Sequence, residues 1–109
     1  MSHPMIGAFR HRLTLEVASL TSDGGGGAAE SWVTTDMLWA AIAPMKGSED
    51  VLAERIAGQI SHVIHVRYRS DITPAMRFRL GDRVFEIGAV IDVGERRRFL
   101  ECHCRERDL

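Results

Sequence analysis

Gln59-Ile-Ser-His-Val-Ile-His-Val-Arg-Tyr-Arg69 is the stretch on which the fold turns. Ile60, His62, Ile64, Val66 and Tyr68 alternate with Ser61, Val63, His65, Arg67 and Arg69. An extended segment with that order has one apolar and one polar face, the pattern of a half-buried strand. The alternation recurs upstream, where His11, Leu13, Leu15 and Val17 stand opposite Arg10, Arg12, Thr14 and Glu16. Between these two strands, Ser31 to Ala43 carries Trp32, Val33, Leu38, Trp39 and Ile42 and stops at Pro44, predicting a long strand that pairs back on the first. Trp39 is expected to anchor the core, with Trp39→Ala costing about 3–5 kcal/mol if the indole is fully packed.

The tip of this hairpin is Ser22, Asp23, Gly24, Gly25, Gly26 and Gly27, running on to Glu30. Four consecutive glycines offer no side-chain contacts and lose much entropy on ordering, so a mobile loop is expected, ordered only when a neighbour supplies contacts. From Gly47 to Gly58 the period changes. Ser48 can cap, Glu49 and Asp50 suit a first turn, Leu52 and Ile56 fall four apart and Gly58 can terminate, predicting one helix of about three turns. Downstream, Asp71 to Pro74 reads as a turn, and Met76, Phe78 and Leu80 alternate with Arg77 and Arg79 up to a Gly81-Asp82 hairpin. Phe85, Ile87, Ala89 and Ile91 line the next strand, Gly94-Glu95 turns the chain, and Arg98 to His103 forms the last. The expected fold is mainly β: a small antiparallel barrel or sandwich of about six strands, with one α-helix and a long Gly-rich hairpin loop.

A chain of 109 residues with 45% apolar and 27% charged residues is expected to form one globular domain, here residues 1–109, which argues against a nucleotide domain plus a substrate domain. Its 14 Lys and Arg against 15 Asp and Glu remove a strong overall cationic field as the basis of DNA or membrane binding. The uncharged run Met37 to Met45 is too short to span a bilayer and contains Pro44. Residues 1–13 hold two Arg and two His without a signal-peptide apolar run, so a protein made and kept in a cytoplasm is expected. Cys102 and Cys104, one residue apart on a strand, share a face at a spacing that disfavours a bridge, and free thiols are expected.

The chemistry-bearing residues do not assemble into a catalytic pattern. Cys102-His103-Cys104 with His62 and His65 suggests zinc by residue type, but a strand sends His103 to the face opposite the two thiols. No Ser or Cys sits in a nucleophile elbow, and the Asp23 to Gly27 tract lacks the Lys and Ser/Thr of a phosphate loop. Arginine is more informative: Lys46 is the one lysine, and the second half carries Arg67, Arg69, Arg77, Arg79, Arg83 and the run Arg96, Arg97, Arg98. Bidentate contacts with carboxylates or phosphates suit such a bias. Interleaved acids make a solvated mixed-charge face the plainest account, with inter-subunit pairs and nucleic-acid contact as the functional ones. A stand-alone nucleic-acid-binding module using these arginines is the alternative function.

Several segments in fixed order carry a resemblance. They are Ile6-Gly-Ala-Phe-Arg-His-Arg-Leu-Thr-Leu15, Glu30-Ser-Trp32 after the glycines, Leu38-Trp-Ala-Ala-Ile42, His65-Val-Arg-Tyr-Arg69, Ile72-Thr-Pro-Ala-Met76, Gly81-Asp-Arg-Val-Phe-Glu-Ile87 and Glu95-Arg-Arg-Arg-Phe-Leu-Glu101. Over nearly its whole length the chain resembles the head-tail joining, or head-closure "stopper", proteins of tailed bacteriophages, prophages and phage-derived gene transfer agents. The resemblance implies a non-enzymatic structural protein of the virion neck, assembled in the bacterial cytoplasm as a homo-oligomeric ring, a hexamer or dodecamer. Its implied partners are the portal or adaptor, the tail terminator, and double-stranded DNA passing without sequence specificity, with no membrane, cofactor or metal. The long loop, Ser22 to Gly27 here, is implied to face the channel or a neighbour. Independently of the resemblance, the run Arg96, Arg97 and Arg98 at the start of a strand cannot all be buried without partners, and contact with a neighbouring subunit or with DNA is expected.

Overall fold

The computed structural model describes residues 9–22, 28–45 and 60–107. Six strands account for most of them: β1 (His11–Ser22), β2 (Ala28–Pro44), β3 (His62–Arg67), β4 (Met76–Leu80), β5 (Arg83–Asp92) and β6 (Phe99–Arg107). All neighbours pair antiparallel, and the sheet closes on itself in the order β1-β2-β3-β6-β5-β4. Closure gives each strand's backbone a partner on both sides within the barrel, removing the edges a sandwich would leave. Leu13, Leu15, Ile64, Val66, Phe78, Phe85, Leu100, Cys102 and Cys104 point inward and form the core. These are the inward positions of the strand alternation, and each aliphatic or aromatic side chain taken from water there contributes roughly 1.5–3 kcal/mol.

Of the two architectures expected, barrel and sandwich, the closed barrel is the one observed. The expected fold class is corrected in its helix: among the described residues the only helical element is a 3-10 turn, Val93–Glu95, with no α-helix. The stretch predicted as a helix, 47–58, lies outside the described residues. So does most of the predicted loop: β1 continues through Ser22 and β2 has begun by Ala28, while 23–27 are not described.

Two bulges displace expected side chains. The β1–β2 register steps from Leu15↔Asp36 to Glu16↔Thr34, leaving Thr35 as the extra residue of β2. The β5–β6 register steps from Ile87↔Cys104 to Ala89↔His103, leaving Gly88 unpaired. A side chain at Gly88 would be crowded, since a Cβ there would lie 3.2 Å from Ile60 Cδ1 and 3.3 Å from the His103 carbonyl oxygen. The bulge reverses the alternation beyond it, so Val90 packs against the core and Ile91, expected inside, is exposed. Trp39 is a second correction. Leu38, Ala40 and Ile42 are the β2 residues on the core side, so Trp39 falls on the outer face with 54% of its surface exposed.

Beyond the barrel, β1 and β2 continue as a ribbon. β1 pairs with β4 only over Thr14–Val17, and β2 pairs with β3 only from Ala40 to Pro44. Residues 18–22 and 28–32 pair solely with each other, a two-stranded extension about 17 Å long at the usual rise per residue.

Candidate functional site

Strand direction collects three features at one end of the barrel: the ribbon, the connection from β3 to β4, and the turn from β5 to β6. The last carries Arg96, Arg97 and Arg98, all exposed. Its backbone is strained, with Glu95 at φ 55° and Arg97 at φ 56°, a region that residues other than glycine seldom occupy. Two anchors hold it. The Arg97 backbone N–H donates to Asp92 Oδ1 at 3.0 Å, and the Tyr68 N–H donates to the Arg98 carbonyl at 3.0 Å. Among the described residues none of the three guanidinium groups has a carboxylate partner, so a fixed turn presents three charges outward.

The other second-half arginines are mostly committed. Arg69 holds Asp71 through two bonds of 2.9 Å and Asp36 through one of 2.7 Å, and both carboxyls are kept below their usual range chiefly by that guanidinium. Arg83 pairs with Glu106, and Arg105 and Arg107 both reach Glu86. Arg77 donates to Glu16 at 2.7 Å, with Arg79 also 3.7 Å from that carboxylate. The centroid of the Trp32 ring lies 4.1 Å from the Arg77 guanidinium carbon, a cover on one member of the pair, and Glu16 is buried although it sits on the outer face. Sequence alternation places Glu16 among polar residues but gives no sign of this cover, since the Arg77–Glu16 contact is 61 residues distant along the chain.

On the outer face of β3 and β6, Glu101 accepts from His65 Nε2 at 3.2 Å and from His103 Nε2 at 2.6 Å. The His65 bond leads in holding the Glu101 carboxyl down to about 2, against the opposing effect of partial burial. Because the folded value lies below the ordinary one, Glu101 contributes stability that is complete above about pH 4.5 and is lost as pH falls toward 2. Glu101→Gln is therefore expected to flatten the acid limb of stability between those values. Urea midpoints measured across that range for both chains check this, and identical limbs would contradict it.

The zinc arrangement considered from sequence does not form. Cys102 and Cys104 are free and buried in the core, their thiols pushed up in pKa by burial, the first to about 12. His103 and His65 face outward with Glu101, and among the described residues no three ligands converge on a metal site. His62 packs edge-on against Phe85 at 5.2 Å, and burial lowers its pKa.

A cleft of about 550 Å³ opens where β3 leaves β2, lined by Phe9, Leu38, Trp39, Arg67 and Arg69. Phe9 meets Phe99 edge-on at 5.7 Å, and Arg12 stands 5.8 Å over the Trp39 ring. Strand alternation gives no sign of this cleft, because it depends on Trp39 facing outward.

The model of the family described as "Phage head completion protein" matches residues 4–107. The solution structure of a protein from Shigella flexneri 2a is similar at 29% identity and TM-score 0.75, covering 93% of this chain and 95% of that one. A chain of the virion of a native gene transfer agent particle is similar at 25% identity and TM-score 0.61, covering 90% and 94%. Among curated proteins nothing matches.

Proposed function

Because the chain belongs to the phage head completion protein family, and so is a structural virion protein related to the head-tail joining machinery, we propose that it forms the ring that closes the head at the neck. In that reading copies pack barrel wall to barrel wall around the DNA channel, between the portal or its adaptor on one side and the tail terminator on the other. The observation that carries it is the arginine turn. Three exposed guanidinium groups on a strained, doubly anchored backbone meet no carboxylate among the described residues, whereas a neighbouring carboxylate or a passing phosphate would use all of them.

A stand-alone nucleic-acid module is less well supported. It needs a contiguous cationic stripe, and Arg69, Arg77, Arg79, Arg83, Arg105 and Arg107 are all engaged by carboxylates of the same chain. The ribbon is also a poor DNA surface, since residues 18–32 hold two acids, Asp23 and Glu30, and neither lysine nor arginine. It suits a neighbour contact better than a channel lining.

The double variant Arg97→Glu/Arg98→Glu tests the reading. Its unfolding free energy is expected to stay within about 0.5 kcal/mol of the parent, as for exposed positions without partners. Its incorporation into particles is expected to fall if the turn meets a neighbouring subunit. Normal assembly with abnormal DNA retention or ejection assigns the turn to the channel instead. Particles that assemble and deliver DNA like the parent would leave these arginines a solvated face only.

A further inference from the structure

We infer that the ribbon of one copy seats its Leu20–Glu30 pair in the Trp39 cleft of the next copy, an inference that rests on the ring reading above. The two surfaces are complementary in kind. On the ribbon, Leu20 and Glu30 lie directly opposite each other and so share a face. Leu20 is 70% exposed, the most of any large apolar side chain described, and Glu30 is exposed with no cationic partner among the described residues. The cleft reverses this, with an apolar floor from Phe9, Leu38 and Trp39 and a cationic rim. Arg69 is neutralised there by Asp36 and Asp71, but Arg67 is exposed and faces no carboxylate among the described residues. One apolar side chain with an adjacent carboxylate is the chemistry such a cleft recognises.

The ribbon cannot reach the cleft of its own copy. Glu30 and Trp39 lie on the same strand, nine residues apart, and therefore about 30 Å from each other. A second copy must supply the arm. Because arm and cleft are different surfaces, the contact is head-to-tail, the kind that propagates around a closed ring. An acidic arm also excludes DNA as the occupant of the ribbon's own contact.

Two measurements on purified particles test this. A chain carrying both Leu20→Cys and Trp39→Cys, mildly oxidised, is expected to give a ladder of covalent multimers on a non-reducing gel, since the native thiols are buried. Separately, Glu30→Arg and Arg67→Glu are each expected to lower incorporation by about tenfold, and the two together to restore most of it, because the reversal exchanges the charges without removing the pair. Unfolding midpoints equal to the parent's establish that the variants fold. A neck that contains the chain but yields only monomers on oxidation, with all charge variants incorporated like the parent, overturns the arm-in-cleft contact and leaves the ring standing. Absence of the chain from the particle overturns both.

Discussion

Phe78→Ala is expected to cost the barrel about 3–5 kcal/mol, a large share of the stability of a domain this size. Phe78 is fully buried on β4, between β1 and β5, and belongs to the single core cluster. Truncation removes its transfer free energy and leaves a cavity that six mutually hydrogen-bonded strands cannot collapse, since a closed barrel has no free edge along which to shift. Trp39→Ala supplies the contrast. Its indole is more than half exposed and stacks only loosely on Arg12, so the loss is expected to be about 1 kcal/mol or less. Urea unfolding of both variants decides the matter. Equal losses, or a larger loss at Trp39, would place the indole in the core after all.

The second large effect is expected at Arg77. Arg77→Ala leaves the Glu16 carboxylate buried with only Arg79, 3.7 Å away, as a cationic neighbour, and also strips the cation from under Trp32. Breaking one side of a buried pair costs about 3–5 kcal/mol, most of it the penalty of the stranded charge. Replacing both partners by leucine removes that charge, so Glu16→Leu/Arg77→Leu is expected to recover most of the loss. A single variant that loses under about 1 kcal/mol would mean that water reaches Glu16 and that the Trp32 cover is open.

Much of this architecture is legible in the sequence because strand alternation is a local signal. Leu13 and Leu15, Ile64 and Val66, Phe78, and Leu100 with Cys102 all face inward as their alternation predicts. The two cysteines are free, as their one-residue separation on a strand implies. What alternation cannot show is a change of phase. Thr35 and Gly88 each add one residue to a strand; the lone glycine inside β5 is a bulge signal, but alternation by itself carries the phase through it and reads Ile91 inward. Trp39 misleads for another reason: size alone suggests burial, but its neighbours Leu38 and Ala40 already hold the core side of β2. The arginine turn is visible as a run of charge, whereas its left-handed backbone and the lack of a carboxylate beside it among the described residues are properties of the folded chain. The cleft is least legible, since Phe9, Trp39 and Arg67 come from three separated segments.

The place of this barrel in the particle is tested most directly by a cryo-EM reconstruction of the head-tail neck. The predicted result is a ring of six-stranded barrels around the DNA channel, with each arginine turn directed at DNA or at an adjoining subunit and each ribbon lying on the adjacent copy. A neck without this barrel, with the chain found in the capsid shell or the tail tube instead, would contradict it.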